Sequence, residues 1–346
     1  MVARLSLRAL AVLLIVSSGA CAAQRRGPAT PSAGSLPADA IQVTAANAST
    51  DATLPIGFFC PMHPDFTSDT AGTCRKCGMK LVAGDPFDTR EYRMDFETRP
   101  TAVKAGTPFA MIFKVFHPGT GKEVRDYELM HDKPYHLFVV GQDMDYFAHL
   151  HPEMRPDGSW AIDVTVPKPG YYRLFSDFLP TGGSPQIISR SLVTSDFAGD
   201  LLSQGARLAP DREFRKSVDG ITAEVSFDPP NLIAGRYGHV MFKLTDEKTG
   251  QPVTDLQPYL GAFGHTLILS EDLLDYVHSH PTEGPSTDIS KGVGGPDVTF
   301  EGYMPRSGYY RSWSQFLRHN TLTTISFTFR VFELGEETRA SGLDRR

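Results

Sequence analysis

Two closely spaced pairs of Cys and His residues could hold a transition-metal ion. Cys60 and His63 are separated by two residues, and Cys74 and Cys77 repeat that spacing further along the chain. Two ligands at this spacing can reach one ion from a tight turn, and Gly78 supplies the backbone freedom that such a turn needs. Thiolates and imidazole favour Zn(II), Cu(I) and similar ions over Mg or Ca. The four side chains therefore predict a metal site.

The same segment carries a recognisable motif. Cys-Pro-Met-His-Pro at 60–64, followed by Cys-x2-Cys-Gly-Met at 74–79, resembles the heavy-metal-binding domain found near the N-termini of some copper-exporting P-type ATPases and periplasmic efflux adaptors. The resemblance covers only this short segment. It implies a transition-metal ion, Zn(II) or copper as Cu(I) or Cu(II), bound by Cys60, His63, Cys74 and Cys77. Thioethers of Met62 and Met79 nearby would shift the preference towards Cu(I) or Ag(I).

Three of the four cysteines, Cys60, Cys74 and Cys77, remain for the mature fold if Cys21 belongs to the export signal. An exported protein normally pairs its thiols, so three clustered thiols favour metal ligation over a disulfide framework. One disulfide with a free thiol is an alternative. A second alternative is a structural zinc knuckle, in which the ion replaces a core that so short a unit cannot build.

A second set of metal-binding side chains occurs twice, as His-x12-His-x-His. Two-residue turns at Gln142-Asp143 and Glu271-Asp272 would pair the first histidine of each set directly with the second, with the third on the same face. Cross-strand neighbours lie about 5 Å apart and diagonal ones about 7 Å, so each set predicts a three-nitrogen metal site. The alternative is structural histidines bonded to backbone carbonyls. The two sets are His136, His149 and His151, and His265, His278 and His280.

A later strand adds one acidic side chain to this hypothesis. Asp177 aligns with Gln315, so Asp177 could ligate the first ion or orient a histidine, whereas an amide is a poor ligand and predicts a weaker second site. Four other histidines lack a counterpart in the other copy and are predicted to be surface or core residues. These are His117, His131, His239 and His319.

The elements that position the histidines belong to an internal repeat. Ala105 to Thr194 aligns with Ala234 to Val331, and Pro169 to Arg173 resembles Arg306 to Arg311. Short aromatic and β-branched runs broken by Gly and Pro turns predict strands, among them core aromatics such as Tyr172. The fold class is therefore mainly β, with a small Cys/His metal knuckle followed by two repeated immunoglobulin-like antiparallel β-sandwich domains.

Composition divides the chain into further segments. A short cationic start and an apolar run predict an export signal, and Ser18 to Cys21 resembles a bacterial lipobox with Cys21 as the lipidated residue. Ordinary cleavage after Ala22 or Ala23 is the alternative. The predicted order is signal peptide 1–20, flexible tether 21–53, heavy-metal-binding module 54–86, sandwich repeats 87–198 and 199–336, and a disordered tail 337–346.

Charge and motifs narrow the function. The formal net charge of −6 and the lack of a basic run after Arg25 and Arg26 argue against nucleic-acid binding. The leading hypothesis is an exported lipoprotein, periplasmic or at the cell surface and anchored to a membrane by lipid. It would sequester or deliver copper, zinc or a similar ion, with an efflux or delivery protein as partner and no enzymatic activity.

Two other hypotheses come from different classes. In a metal-dependent enzyme, a three-histidine site would activate water or oxygen with help from Asp177 or Asp275. The chain has no Gly-x-Ser-x-Gly elbow, phosphate loop or dinucleotide fingerprint to strengthen that hypothesis. A structural or adhesion module with one structural zinc is the third. One bound ion per chain would favour this third hypothesis, whereas two or three ions would favour the metal-binding lipoprotein.

Overall fold

Strands and turns account for nearly all regular structure in the computed structural model, which describes residues 57–85, 90–200, 203, 205–283 and 289–336. None of these residues forms a helix long and apolar enough to cross a membrane. The predicted signal peptide, the predicted lipidation site Cys21, the predicted tether and the predicted C-terminal tail lie outside the described residues.

The Cys/His module is a small antiparallel sheet with two loops that carry the metal-binding side chains. The order in the sheet is β2-β1-β3, with Phe59 opposite both Thr67 and Val82. Phe59 and Val82 pack with Met130 and Leu179 of the first repeat, so the module has an apolar contact with that sandwich. The strands are β1 (Gly57–Phe59), β2 (Thr67–Ser68) and β3 (Val82–Gly84).

The first repeat is a sandwich of two antiparallel sheets. One has the order β4-β5-β10-β9, and the other has the order β12-β11-β7-β8 with β6 paired to β11. Phe113, Leu137, Trp160 and Leu174 are among the buried side chains that fill the space between them. The strands are β4 (Arg93–Arg99), β5 (Phe109–Phe116), β6 (Tyr127–Glu128), β7 (Tyr135–Gly141), β8 (Phe147–Leu150), β9 (Glu153–Met154), β10 (Trp160–Val164), β11 (Tyr171–Pro180) and β12 (Gln186–Val193).

The second repeat is also a sandwich of two sheets, whose strands are antiparallel except that β15 pairs with β22 in parallel. Its sheets have the orders β13-β14-β16-β20-β19 and β15-β22-β21-β17-β18, around a core that includes Phe242, Phe300 and Phe327. A 3-10 turn covers Ile289–Lys291. The strands are β13 (Arg215–Val218), β14 (Ile221–Asp228), β15 (Leu232–Ile233), β16 (Arg236–Asp246), β17 (His265–Ser270), β18 (Tyr276–Ser279), β19 (Pro281–Glu283), β20 (Asp297–Met304), β21 (Gly308–Arg318) and β22 (Thr321–Phe332). The predicted fold class is confirmed.

One sheet of each sandwich packs against its counterpart in the other repeat. Side chains on the outer faces of β7, β11, β17 and β21 form a third apolar cluster that joins Phe138 and Phe175 to Leu267 and Trp313. The ring of Trp313 stacks on Phe147 with centroids 5.1 Å apart. Because both faces of these sheets are covered, β7 and β17 are buried along their whole length.

The predicted hairpin turns are wrong in both repeats. In the first repeat, β7 pairs with β8 so that His149 lies opposite Phe138, and a four-residue loop follows Gly141. In the second, His278 lies opposite Leu267. The loops need a left-handed residue, Met144 at φ 60° and Leu273 at φ 59°, and neither is a typical turn former. The register is displaced by two residues, which keeps every side chain on its predicted face.

Candidate metal centres

The four predicted ligands of the module converge on one point. The Sγ atom of Cys60 lies 3.6 Å from that of Cys77, and Nδ1 of His63 lies 3.7 Å from the Sγ atoms of Cys60 and of Cys74. A tetrahedral ion with metal–sulfur bonds of about 2.3 Å places its ligand atoms about 3.6–3.8 Å apart. All three thiols of the described part of the chain are free. The ligand positions therefore fit a tetrahedral ion, not a disulfide with a lone thiol.

Local backbone bonds hold these side chains in place. The N–H of His63 donates to the carbonyl of Cys60, and the N–H of Cys74 donates to the carbonyl of Met79 at 2.7 Å. The N–H of Gly78 donates to the carbonyl of Cys74, which requires the left-handed φ of 75° at Gly78. The predicted need for glycine after the second Cys pair is thus met by a specific turn.

Two thiols of the module, those of Cys60 and Cys74, are protonated at neutral pH in the absence of a cation. A hydrogen bond with Cys77, together with burial, raises the pKa of Cys60 to about 12. Burial also raises the pKa of Cys74. A bound ion would supply the positive charge that stabilises the thiolates, and its binding would release protons. Met62 and Met79 pack against Cys60 and Cys74 in a small apolar cluster, so the predicted thioethers lie beside the site.

Each repeat also brings its three predicted histidines together. The ligand nitrogens of His136, His149 and His151 lie within 4.8 Å of one another, and those of His265, His278 and His280 do the same. We call these the first and the second triplet. Their rings are close neighbours across the inter-repeat interface: the centroid of His278 lies 5.5 Å from that of His136 and 5.8 Å from that of His149.

Hydrogen bonds to the outside of the triplets fix which ring nitrogens carry a proton. Nε2 of His136 donates to the carbonyl of Met130 at 2.8 Å, and Nε2 of His265 donates to the carbonyl of Tyr259 at 2.7 Å. A neutral imidazole has one N–H, so Nδ1 of His136 and Nδ1 of His265 are left as lone-pair acceptors. Burial lowers the pKa of His136 to about 4, which keeps the ring neutral at pH 7.

The second histidine of each triplet is oriented by a residue of the other repeat. Nδ1 of His278 donates to Oδ2 of Asp177, and Nδ1 of His149 donates to Oε1 of Gln315, both at 2.9 Å. In the orientation that the structure gives the amide of Gln315, its Nε2 atom donates to Oγ1 of Thr324 at 3.1 Å. Burial raises the pKa of Asp177, but the hydrogen bond and electrostatic interaction with His278 and the hydrogen bond from Tyr276 lower it, and the net shift is downward.

This crossing corrects the predicted roles of Asp177 and Gln315. Asp177 was predicted to serve the triplet of its own repeat, and the second triplet was predicted to be weaker because Gln315 aligns with Asp177. The structure places the carboxylate against the second triplet and the amide against the first. A carboxylate raises the basicity of the histidine that it accepts from, so the expected order of the two sites is reversed.

The consequence of these bonds is an unsatisfied arrangement in the first triplet. Nδ1 of His136 faces Nε2 of His149 at 3.0 Å, and with Oε1 of Gln315 accepting from Nδ1 of His149, as the structure has it, both facing nitrogens carry lone pairs. Lone pairs at this distance repel unless a cation lies between them. Two nitrogens bound to one ion at about 2.0–2.1 Å are about 2.9–3.4 Å apart, so the spacing fits shared ligation.

Buried imidazole nitrogens without a partner reinforce this conclusion. Six such nitrogens find no hydrogen-bond partner within the described part of the chain. Each would cost about 1–3 kcal/mol if nothing satisfied it. Burial lowers the pKa of His151 to about 3 and holds that of His149, His265 and His280 well below the usual range, so the rings are neutral ligands. The nitrogens are Nε2 of His131, His151 and His278, Nδ1 of His265, and both nitrogens of His280.

His131 is predicted from the sequence to be a surface or core histidine, and its position beside the second triplet was not predicted. It is buried at the inter-repeat interface, and its ring stacks on His280 with centroids 3.2 Å apart. It lies in a turn with φ 50°, where the second repeat has Leu260 at φ 52°. Because the counterpart is not a histidine, the repeat alignment contained no signal for it.

The remaining predicted polar residues lie elsewhere. His117 contacts Tyr92, His239 pairs with Glu301, and His319 pairs with Asp255 on the surface. Asp275, considered for catalysis, accepts hydrogen bonds from Arg306 at 3.0 Å and from Tyr310 at 2.6 Å. It is held by these partners in the loop after β17 and does not bond to a triplet histidine.

Two family models match this chain. A model described as a domain of unknown function, DUF8832, matches residues 88–190 and again residues 216–333. A model described as a heavy metal binding domain matches residues 58–83, which confirms the resemblance seen in the Cys/His motif. No curated protein matches the chain.

Solved structures give weaker similarities. The Escherichia coli adhesin FdeC is 13% identical over 74% of this chain and 68% of its own, with a TM-score of 0.23. Domains 4 and 5 of the S-layer protein SbsC are 11% identical over 71% of this chain and 100% of theirs, with a TM-score of 0.19. Red sea bream transglutaminase is 10% identical over 78% of this chain and 38% of its own, with a TM-score of 0.21. These values carry no argument about function.

Proposed function

The chain belongs to the DUF8832 family of domains of unknown function, and we propose that it is an exported binding protein for transition-metal ions. It holds ions at three places, the Cys/His module and the two histidine triplets, and serves to sequester or deliver them. It performs no catalysis. Export and lipid anchoring through Cys21 are supported by the N-terminal sequence.

One observation carries the proposal for the triplets. The outward hydrogen bonds of His136 and His149 leave two lone pairs facing each other at 3.0 Å in a buried place. A purely structural role would pair an N–H with a lone pair there. A cation removes the repulsion, and three neutral imidazoles suit zinc, copper and similar ions.

The module contributes a different donor set. Three thiolates and one imidazole match Zn(II) or Cu(I), with Met62 and Met79 beside the site. The family description of residues 58–83 supports a heavy-metal ion as the cargo. An efflux or delivery protein is the kind of partner that would take up or supply such an ion.

Stoichiometry tests the proposal. Elemental analysis and native mass spectrometry of the full chain, purified from its native compartment, should find more than one ion per chain. The double variant Cys74→Ser with Cys77→Ser should lose one ion, and His149→Ala with His151→Ala should lose another. One ion in the wild-type chain, unchanged by the histidine substitutions, would instead favour a structural module with a single zinc.

The melting temperature of the apo protein separates ligands from structural histidines. His149→Ala with His151→Ala removes the facing lone pairs and a buried Nε2 atom of His151 that lacks a described partner. The apo variant should therefore melt no earlier than the apo wild type, apart from the loss of the bond to Gln315. A melting temperature many degrees lower would mean that these rings are structural.

A further inference from the structure

The second triplet is buried more deeply than a site that exchanges freely with solvent. His265 is 2% exposed, His280 is 4% exposed, and the side chain of His278 is 4% exposed. A buried metal site needs an entry path. The first triplet is more open, since His149 and His151 are only half-buried and His151 lines a surface cleft of about 450 Å³ with Glu153 and Arg155.

A different cleft is lined by His131, whose ring stacks on His280 of the second triplet. Its volume is about 430 Å³, and its wall combines residues of the module with residues of the turn that follows β6. A water molecule occupies about 30 Å³ in the liquid, so the cleft has room for a hydrated ion. Lining residues from the module include Cys77, Met79 and Lys80, and those from the first repeat include Glu128, His131 and Asp132.

The chemistry of the two ends of this cleft is complementary. Cys77 is the partly exposed thiol of the module, so it is the ligand that an incoming ion or an exchanging ligand reaches first. Glu128 and Asp132 place carboxylates along the wall, where they attract a cation and outnumber Lys80.

His131 is the residue that connects the cleft to the triplet. It lines the cleft and stacks on His280 with centroids 3.2 Å apart. Its Nε2 atom is buried and has no hydrogen-bond partner among the residues described. The side chain of His131 therefore has a ring nitrogen that is available to coordinate a metal ion, and it also contacts His280 of the second triplet.

We propose that His131 is a relay ligand through which an ion passes from the Cys/His module, along this cleft, to the buried second triplet. The inference rests on the proposed metal binding of both sites. The ion keeps its oxidation state: its bonds to the four ligands of the module break, water molecules take their place, and the released thiolates take up protons from water. A nitrogen of His131 then replaces a bound water, and the imidazoles of the second triplet replace His131 and the remaining water.

The relay predicts an effect on rate rather than on the final amount of bound metal. The test uses the full chain with His149→Ala and His151→Ala, so that the module and the second triplet are the sites under study. Apo protein is mixed with two equivalents of Co(II) in a stopped-flow spectrometer under reducing conditions. Thiolate-to-cobalt charge transfer reports filling of the module, and the later growth of the visible d–d absorption reports the second triplet.

Adding His131→Asn should slow the second phase at least tenfold and leave the first phase and both amplitudes unchanged. Asn tolerates the left-handed backbone at this position. The matched control is His319→Asn, because His319 has the same φ of 50° but is exposed on the surface. This control should keep the parent rate. Cys74→Ser with Cys77→Ser should slow the filling of the second triplet as His131→Asn does.

Three other results would each contradict a stated part of the proposal. Unchanged rates in both test variants would show that ions reach the second triplet by another path and would overturn the relay alone. A lost final amplitude in His131→Asn would make His131 a permanent ligand and would also overturn it. A second triplet that never binds Co(II) in the parent would overturn both the relay and the proposed function of that triplet. If His131→Asn does not fold, the cysteine variant decides.

Discussion

The Cys/His module and the two histidine triplets both bring metal-ligating side chains together, but the module does so within one short segment and the triplets do so through the packing of two repeats. The ligands of the module lie within 60–77, and neighbouring backbone bonds such as that from Gly78 to Cys74 shape their loops. The triplets draw on two repeats, and the orientation of His149 and His278 depends on side chains from the other sandwich. We therefore expect that the module can lose its metal without unfolding the sandwiches, whereas the triplets depend on inter-repeat packing.

A second contrast separates the two triplets. The second has a carboxylate behind His278, is buried more deeply, and contacts His131. The first has an amide behind His149 and opens to a solvent cleft beside His151. The two triplets thus differ in the side chain behind their second histidine and in access to solvent, and we expect them to differ in affinity for a metal ion.

The largest expected effect breaks the module alone. Cys74→Ser with Cys77→Ser should abolish its ion, because structural zinc in small Cys/His units contributes about 10–16 kcal/mol of apparent binding free energy. The melting transition of the sandwiches should stay within a few degrees, since their cores are separate from the module's cluster of Cys60, Cys74 and Leu81. Native mass spectrometry and calorimetry of the same sample measure both.

The control for this prediction is Lys76→Ala. Lys76 lies between the two cysteines and forms an exposed ion pair with Asp65. Such pairs are worth about 0–1 kcal/mol, so the ion should remain. Equal metal loss in both variants, or collapse of the sandwiches in the cysteine variant, would contradict the local character of the module.

A substitution at the inter-repeat interface, Trp313→Ala, should disrupt the triplets and leave the module intact. Trp313 is buried in the inter-repeat cluster and stacks on Phe147. Trp313→Ala should lower the free energy of unfolding by about 3–5 kcal/mol through the cavity that it leaves. It should weaken metal binding at both triplets, because the partners of His149 and His278 lie across that interface. Denaturant unfolding and metal titration measure the two effects.

Tyr237→Ala serves as its counterpart, since Tyr237 is an aromatic of the second repeat that is 68% exposed. It should change stability by less than about 0.5 kcal/mol and leave metal content unchanged. If Trp313→Ala reduced stability but left both triplets fully loaded, the triplets would not depend on the packing of the two sheets.

The contrast between the triplets can be sharpened by exchanging their supports. Asp177→Asn keeps an oxygen that accepts from His278 but removes the charge, so the second triplet should bind about 10–100-fold more weakly. Gln315→Glu should strengthen the first triplet by a similar factor. Isothermal titration with Zn(II), in a background lacking the thiols of Cys74 and Cys77, would measure both. Equal affinities before and after exchange would refute the asymmetry.

These dependencies explain how far the sequence could predict the structure. The module was predictable because Cys60, His63, Cys74 and Cys77 act through local turns whose residue types are visible, Gly78 among them. The repeat and its strands were predictable from residue types and turn signals. The face on which each histidine lies was also predicted, because an error of two residues in register leaves the alternation of side chains intact.

Two features were not predictable from the sequence: the conformation of the hairpin loops and the contacts between the two repeats. Loops that place Met144 and Leu273 in a left-handed conformation have no Gly or Asn to reveal them. The crossing of Asp177 to His278 and of Gln315 to His149 follows from the packing of two sheets, and no spacing within either repeat encodes it. His131 was missed for the same reason, since it contacts His280 of the other repeat.

The smallest expected effect concerns a single turn of the module. Gly78 has a φ of 75°, and an added Cβ would meet nothing within 4 Å, so the cost of Gly78→Ala is conformational. Placing a residue with a Cβ in the left-handed region costs about 1–2 kcal/mol. The metal affinity of the module should fall by roughly 5–30-fold, as measured by competition with a chelator. The triplets should be unaffected.

Gly170→Ala is the matched control, because its added Cβ also meets nothing within 4 Å and its φ is not left-handed. It should leave metal affinity unchanged. The pair isolates backbone conformation from crowding. An equal affinity of the module in Gly78→Ala and the wild type would mean that the ion, and not the turn, determines the shape of the second cysteine pair.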